Sequence, residues 1–314
     1  MDQLLFSLNA TVPVFLMMVL GMVLKKLGWI GEAFASQLNR FVFMLPLPVL
    51  LFQDLATVDF LKVWNFSFVA FCFVVTLISI LIAIMMSKLL KDKSIQGEFI
   101  QATYRSSAAL LGVALIQNIY GSSTMGPLMI IGSVPLYNIF AVIILSFYQP
   151  QSKGMNRELL KQTCLGILKN PIIIGIAVGI LWSLCSLPMP AILSKSVSYV
   201  ANMATPLGLI AMGASFHLDK AISQIKPACA ASFFKLFGFC LLFLPFAIML
   251  GFRQEQLIAI LVMLGSASTV TCYVMAKNMG HVGVLSSNVV MLTTLLSGFS
   301  LTFWIWVLRM LSFI

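Results

Sequence analysis

Carboxylates are scarce in this sequence, with nine Asp and Glu against nineteen Lys and Arg. Asp2, Glu32, Asp54, Asp59, Asp92, Glu98, Glu158, Asp219 and Glu255 all fall in or near expected connections or helix ends. A pump for cations needs an acid deep in the membrane, so their placement argues against one. Charge of any sign is low, at 9% of residues, while 61% are hydrophobic and the mean hydropathy is +1.05. Water cannot solvate such a surface, and the class that remains is an all-α integral membrane protein. Only His217 and His281 are histidines, and the six cysteines form no CxxC pair. No metal, cofactor or disulfide framework is implied. No nucleophile–base pair occurs at depth, which excludes an enzyme. The basic residues are spread among connections, with no zinc-finger or RNA-binding signature, so nucleic acid is not a partner.

What is present is apolar sequence in runs of span length. Hydropathy places ten spans at about 11–27, 41–55, 66–87, 98–119, 126–147, 170–187, 197–217, 228–250, 255–276 and 283–311. The odd-numbered connections hold thirteen Lys and Arg, and the even ones with the C-terminus hold four: Lys62, Lys195, Arg253 and Arg309. The richer side is cytoplasmic by the positive-inside rule, with both termini periplasmic or extracellular. The first run has Lys25 and Lys26 after it and no basic residue before it, so it is a retained span and not a signal peptide.

The chain divides into residues 1–150 with five spans, a cytoplasmic connection at 151–169, and residues 170–314 with five more. Pro46 and Pro206 are 160 residues apart, and so are Asn118 and Asn278. Five spans per half is an odd number, so the second half enters from the opposite face, as an inverted repeat. At the same offset Arg105-Ser106-Ser107 falls on Gly265-Ser266-Ala267, followed by Ser268, Thr269 and Thr271. At about 1.5 Å per residue, Ser107 lies about 13 Å from Glu98, near the middle of a hydrocarbon core about 30 Å thick.

Ser106, Ser107, Ser266, Ser268, Thr269 and Thr271 are therefore candidate substrate ligands, with Gly112 and Gly265 weakening the helices beside them. The blander alternative is that each hydroxyl bonds the carbonyl four residues back on its own helix. Arg105, about 10 Å deep, reads equally as a cytoplasmic anchor or as an anion lure. Lys235 and His217 are candidates for a charge role, His217 reading more readily as interfacial. Pro46 joins the candidates as the repeat partner of Pro206.

The stretches "MVLGMVLKKLGWIGEAFASQLNRFVFMLPLPVLLF", "RSSAALLGVAL", "LKNPIIIGIAVGILWSL", "ATPLGLIAMGASF" and "YVMAKNMG" occur in this order. Together they resemble the auxin efflux carrier family, which includes plant PIN auxin carriers and bacterial malonate or malate permeases. The resemblance implies the sodium/proton antiporter and bile-acid symporter fold, with broken fourth and ninth helices crossing at the site. It also implies a scaffold of spans 1, 2, 6 and 7 that dimerises, and a transport domain of spans 3–5 and 8–10. Where the family's fourth span carries Asn and Gly-x-Pro-Leu, this chain has Ser107, Gly112, Ala114 and Leu115. No proline lies between Gly265 and Lys277, so any break there must come from glycine and hydroxyl residues.

The expected function is secondary transport of a small organic anion, most simply a carboxylate, across a bacterial inner membrane. A non-transporting membrane sensor that keeps the fold is the alternative.

Overall fold

The computed structural model describes residues 13, 16–56, 65–108, 113–120, 125–149, 166, 168–216 and 218–314. Gly112 and His217 lie outside the described residues. The described residues are helical, without strands. The helices are α1 (16–26), α2 (Glu32–Met44), α3 (Pro46–Ala56), α4 (Phe66–Ser87), α5 (Gln96–Tyr104), α6 (Val113–Tyr120), α7 (Met125–Phe147) and α8 (Pro171–Leu184). They continue as α9 (Ala191–Asn202), α10 (Ala204–Ala214), α11 (Leu218–Ser223), α12 (Ile225–Phe233), α13 (Phe239–Met249), α14 (Gln254–Gly265), α15 (Val270–Asn278) and α16 (Val284–Met310). A π turn, Phe234–Gly238, joins α12 to α13.

Among the described residues, seven helical stretches are long and apolar enough to cross a bilayer. Large apolar side chains such as Leu81, Met85, Ile192, Phe233, Met249 and Trp306 stand exposed on the outside, which is the surface of a protein solvated by lipid. The chain is a multi-pass membrane protein.

Two expected boundaries move. The second and seventh spans start earlier, running Glu32–Ala56 and Ala191–Ala214. Polar residues lower the hydropathy of α2, yet its inner stripe, Ala35, Asn39, Val42 and Phe43, is buried. Arg40 and Lys195 accordingly lie within helices and not in connections. Both spans are interrupted near their prolines. Leu45 leaves the helix just before Pro46, and Met203 forms a turn three residues before Pro206. Proline supplies no N–H to the ladder, so the interruption falls in the turn it weakens.

Backbone contact between helices depends on small residues. Gly175 and Gly179 of α8 lie against α3, where a Cβ at Gly175 would stand 2.5 Å from the Pro48 carbonyl oxygen. In the other pair, a Cβ at Gly21 of α1 would run into the Ile210 oxygen, and one at Gly213 of α10 into the Met18 oxygen. Helices α4 to α7 and α12 to α16 form the second packed group.

Glu98 is the third residue of α5, as expected for a helix end, but it is 1% exposed and not solvated. Its Oε1 accepts the Gly283 N–H at 2.8 Å and its Oε2 the Ser286 N–H at 2.9 Å. A carboxylate thus satisfies the first turn of α16. Glu98→Gln is expected to lower stability by about 1–2 kcal/mol, read as a lower melting temperature in detergent.

Candidate functional site

The polar interior is built where two helices stop. Helix α5 ends at Tyr104, and Arg105 (φ −69°, ψ 143°) is extended. Helix α14 ends at Gly265, Ser266 (φ −78°, ψ 165°) and Thr269 (φ −82°, ψ 149°) are extended, and α15 restarts at Val270. Neither break contains proline. The two extended segments hold each other instead: the Ser107 N–H donates to the Ala267 oxygen at 2.9 Å, and the Ser106 and Ser266 hydroxyls meet at 2.5 Å. Each of these pairs is separated by 160 residues. The Ser106 hydroxyl also reaches the Val262 oxygen at 3.0 Å, and the Ser268 N–H donates to Thr293 Oγ1 at 3.0 Å. Backbone groups that a continuous helix would pair internally are thereby satisfied across the break.

The bonding of these hydroxyls distinguishes them from ordinary membrane serines. Ser79, Thr103, Ser133 and Thr293 bond the carbonyl four residues back on their own helices. Ser106 and Ser266 bond across the crossing, and Thr271 accepts from Arg105.

Arg105 points inward and is 3% exposed. Its Nη2 donates to Asn138 Oδ1 at 2.7 Å and to Thr271 Oγ1 at 2.6 Å, while Nη1 lies 2.8 Å from Met275 Sδ. Among the described residues its buried Nε has no hydrogen-bond partner and no carboxylate pairs with it. Thr269 and Thr271 touch through their hydroxyls, and Ser268 Oγ lies 3.3 Å from Cys272 Sγ.

The structure thus gathers Arg105, Ser106, Ser107, Ser266, Ser268, Thr269 and Thr271 at one crossing. Pro46 sits instead at the start of α3, which packs on α8. Lys235 reaches the same break from the other side, with Nζ 2.7 Å from the Leu264 oxygen and 3.4 Å from the Met263 oxygen.

Sequence reasoning missed several members. Asn138 orients Arg105 while its own amide donates to the Val134 oxygen at 2.9 Å. Gln101 Nε2 donates to the Cys272 oxygen at 2.8 Å, and the Tyr137 hydroxyl reaches the Met263 oxygen at 3.1 Å. A polar side chain within an otherwise apolar span was the available signal, in "SVPLYNIF" for Asn138 and Tyr137 and in "EFIQATY" for Gln101.

A family profile described as membrane transport protein matches residues 6–305. The chain belongs to this family, the auxin efflux carriers. No curated protein matches it. In this auxin efflux carrier the polar crossing lies buried between membrane helices.

The two cations at the break are not equivalent. Lys235 faces the C-terminal, partially negative end of α14, so field and charge agree. Arg105 is bonded to the second residue of α15, at a partially positive N-terminal end, and its acceptors are neutral. Among the described residues, no carboxylate at the crossing compensates the Arg105 guanidinium.

Proposed function

We propose that this carrier is a secondary transporter of a small organic anion, a mono- or dicarboxylate, working by alternating access. The observation that carries the reading is the buried Arg105 guanidinium at the N-terminal end of α15, with no carboxylate beside it among the described residues. A carboxylate docked there gains charge-assisted bonds from the fork, from the first N–H groups of α15 and from the Thr269 and Thr271 hydroxyls. It also relieves a buried charge that neutral acceptors only partly stabilise.

Movement comes from the architecture we assign to the chain: ten spans in two inverted halves of five. The contacts of Ser106 with Ser266 and of Ser107 with Ala267, both at an offset of 160, support that repeat. The close pairs α1–α10 and α3–α8 support a scaffold of spans 1, 2, 6 and 7, which we take to dimerise. The remaining spans, carrying the crossing, would move against it. We place the protein in a bacterial inner membrane with both termini outside.

Purified protein in proteoliposomes should take up labelled malonate, malate or an aromatic carboxylate saturably, with cross-competition. Absence of uptake for all three, from folded protein, removes the reading. Binding without flux would instead select a membrane sensor, a reading favoured by the lack of proline at both breaks.

A further inference from the structure

Lys235 is a buried cation that the proposed anion site does not use. It is 0% exposed, and its acceptors among the described residues are the backbone oxygens of Leu264 and Met263, at 2.7 and 3.4 Å. These are the last carbonyls of α14, left without helical partners because the helix stops at Gly265. The neighbouring ionisable groups are the thiols of Cys240 and Cys272, and no carboxylate contacts the ammonium among the described residues.

The surroundings are built to hold it there. Lys235 stands in the π turn Phe234–Gly238, a rare local widening that changes which way a side chain projects. The Leu236 oxygen in that turn is taken up by Trp304 Nε1 at 3.1 Å. Gly265 lets the end of α14 close on α13, since a Cβ there would lie 2.6 Å from Cys240 Sγ.

In carriers with discontinuous helices, unwound carbonyls and half-helix C-terminal ends are the ligands of coupling sodium ions. We propose that the Lys235 ammonium is a resident cation in such a position, covalently tethered to the protein, so that transport proceeds without sodium. The carbonyls that would draw an ion from solution are already neutralised, and nothing needs to bind or leave at that point of the cycle.

The test compares wild-type protein with Lys235→Ala and Lys235→Met in sodium chloride and in choline chloride of equal strength. Wild-type melting temperature and malonate uptake should be the same in both salts. Lys235→Ala should melt lower by roughly 5–10 °C in choline. Sodium should restore a substantial part of that loss, because the vacated carbonyls then accept an ion. Lys235→Met fills the space and should melt low in both salts.

A sodium response in wild type overturns the proposal, and so does indifference of Lys235→Ala to sodium. Wild-type uptake that follows an imposed pH gradient also overturns it, since the lysine would then be exchanging a proton. If neither variant folds, the comparison of salts on wild type decides. The uptake arm rests on the proposed transport function, whereas the melting arm needs no substrate, so the two fail separately.

Discussion

Arg105→Gln is expected to weaken malonate binding by roughly 100-fold while the melting temperature stays at or above that of wild type. The first half follows from losing a bidentate charge-assisted contact, an effect of about 2–5 kcal/mol when the partner is buried. The second half follows from the position of the charge. A guanidinium held by Asn138, Thr271 and a thioether, beside a helix end of like sign, carries a desolvation penalty that its neighbours do not fully offset. Glutamine keeps a donor for Asn138 or Thr271 without that charge. Arg105→Lys keeps the charge but not the planar fork and should fall between, at roughly 10-fold. Calorimetric titration with malonate and a thermal melt read both quantities. A variant that melts much lower yet binds malonate normally would make Arg105 a structural anchor and nothing more.

Gly213→Val should produce the largest loss of stability in the molecule, more than about 4 kcal/mol, read as failure to purify folded or as a melt lowered by 10 °C or more. The obstacle is backbone: a Cβ at Gly213 runs into the Met18 carbonyl oxygen, and Gly21 meets Ile210 in the same pair of helices. A flexible side chain can rotate away, but α1 must move as a body. Gly31→Ala is the control, because nothing lies within 4 Å of a Cβ there and its φ of −82° suits any residue. Equal melts for both variants would mean that the α1–α10 approach is not a structural constraint.

Class and helix content were legible because composition alone decides between water and lipid as solvent. The crossing was legible to a useful degree. "YRSS" and "GSAST" align by an offset shared with Pro46 and Pro206, and in the structure Ser106 rests on Ser266 at that offset. The partners of Arg105 were not legible. Asn138, Thr271 and Met275 come from two different helices, and only packing brings them to one guanidinium. Hydropathy also shortened the second and seventh spans, since a windowed average cannot see that the buried residues of α2 lie on one stripe. The direction of Arg105 depended on the break itself: once the chain leaves the helix at 105, the side chain need not lie along the helix surface toward the cytoplasm.

Among the described residues, the buried Asp, Glu, Lys and Arg side chains are Glu98, Arg105 and Lys235. With all three ionised, two positive groups and one negative leave the interior with one net positive charge. A moving unit that carried them would feel the membrane voltage, worth about 2.3 kcal/mol per charge per 100 mV across the whole field. Loaded with a monoanion, the unit is neutral and crosses indifferent to voltage. Empty, it is drawn toward the negative cytoplasmic side. On the proposed function, an energised cell would therefore draw the empty carrier inward after each release, and the turnover rate would depend on the membrane voltage.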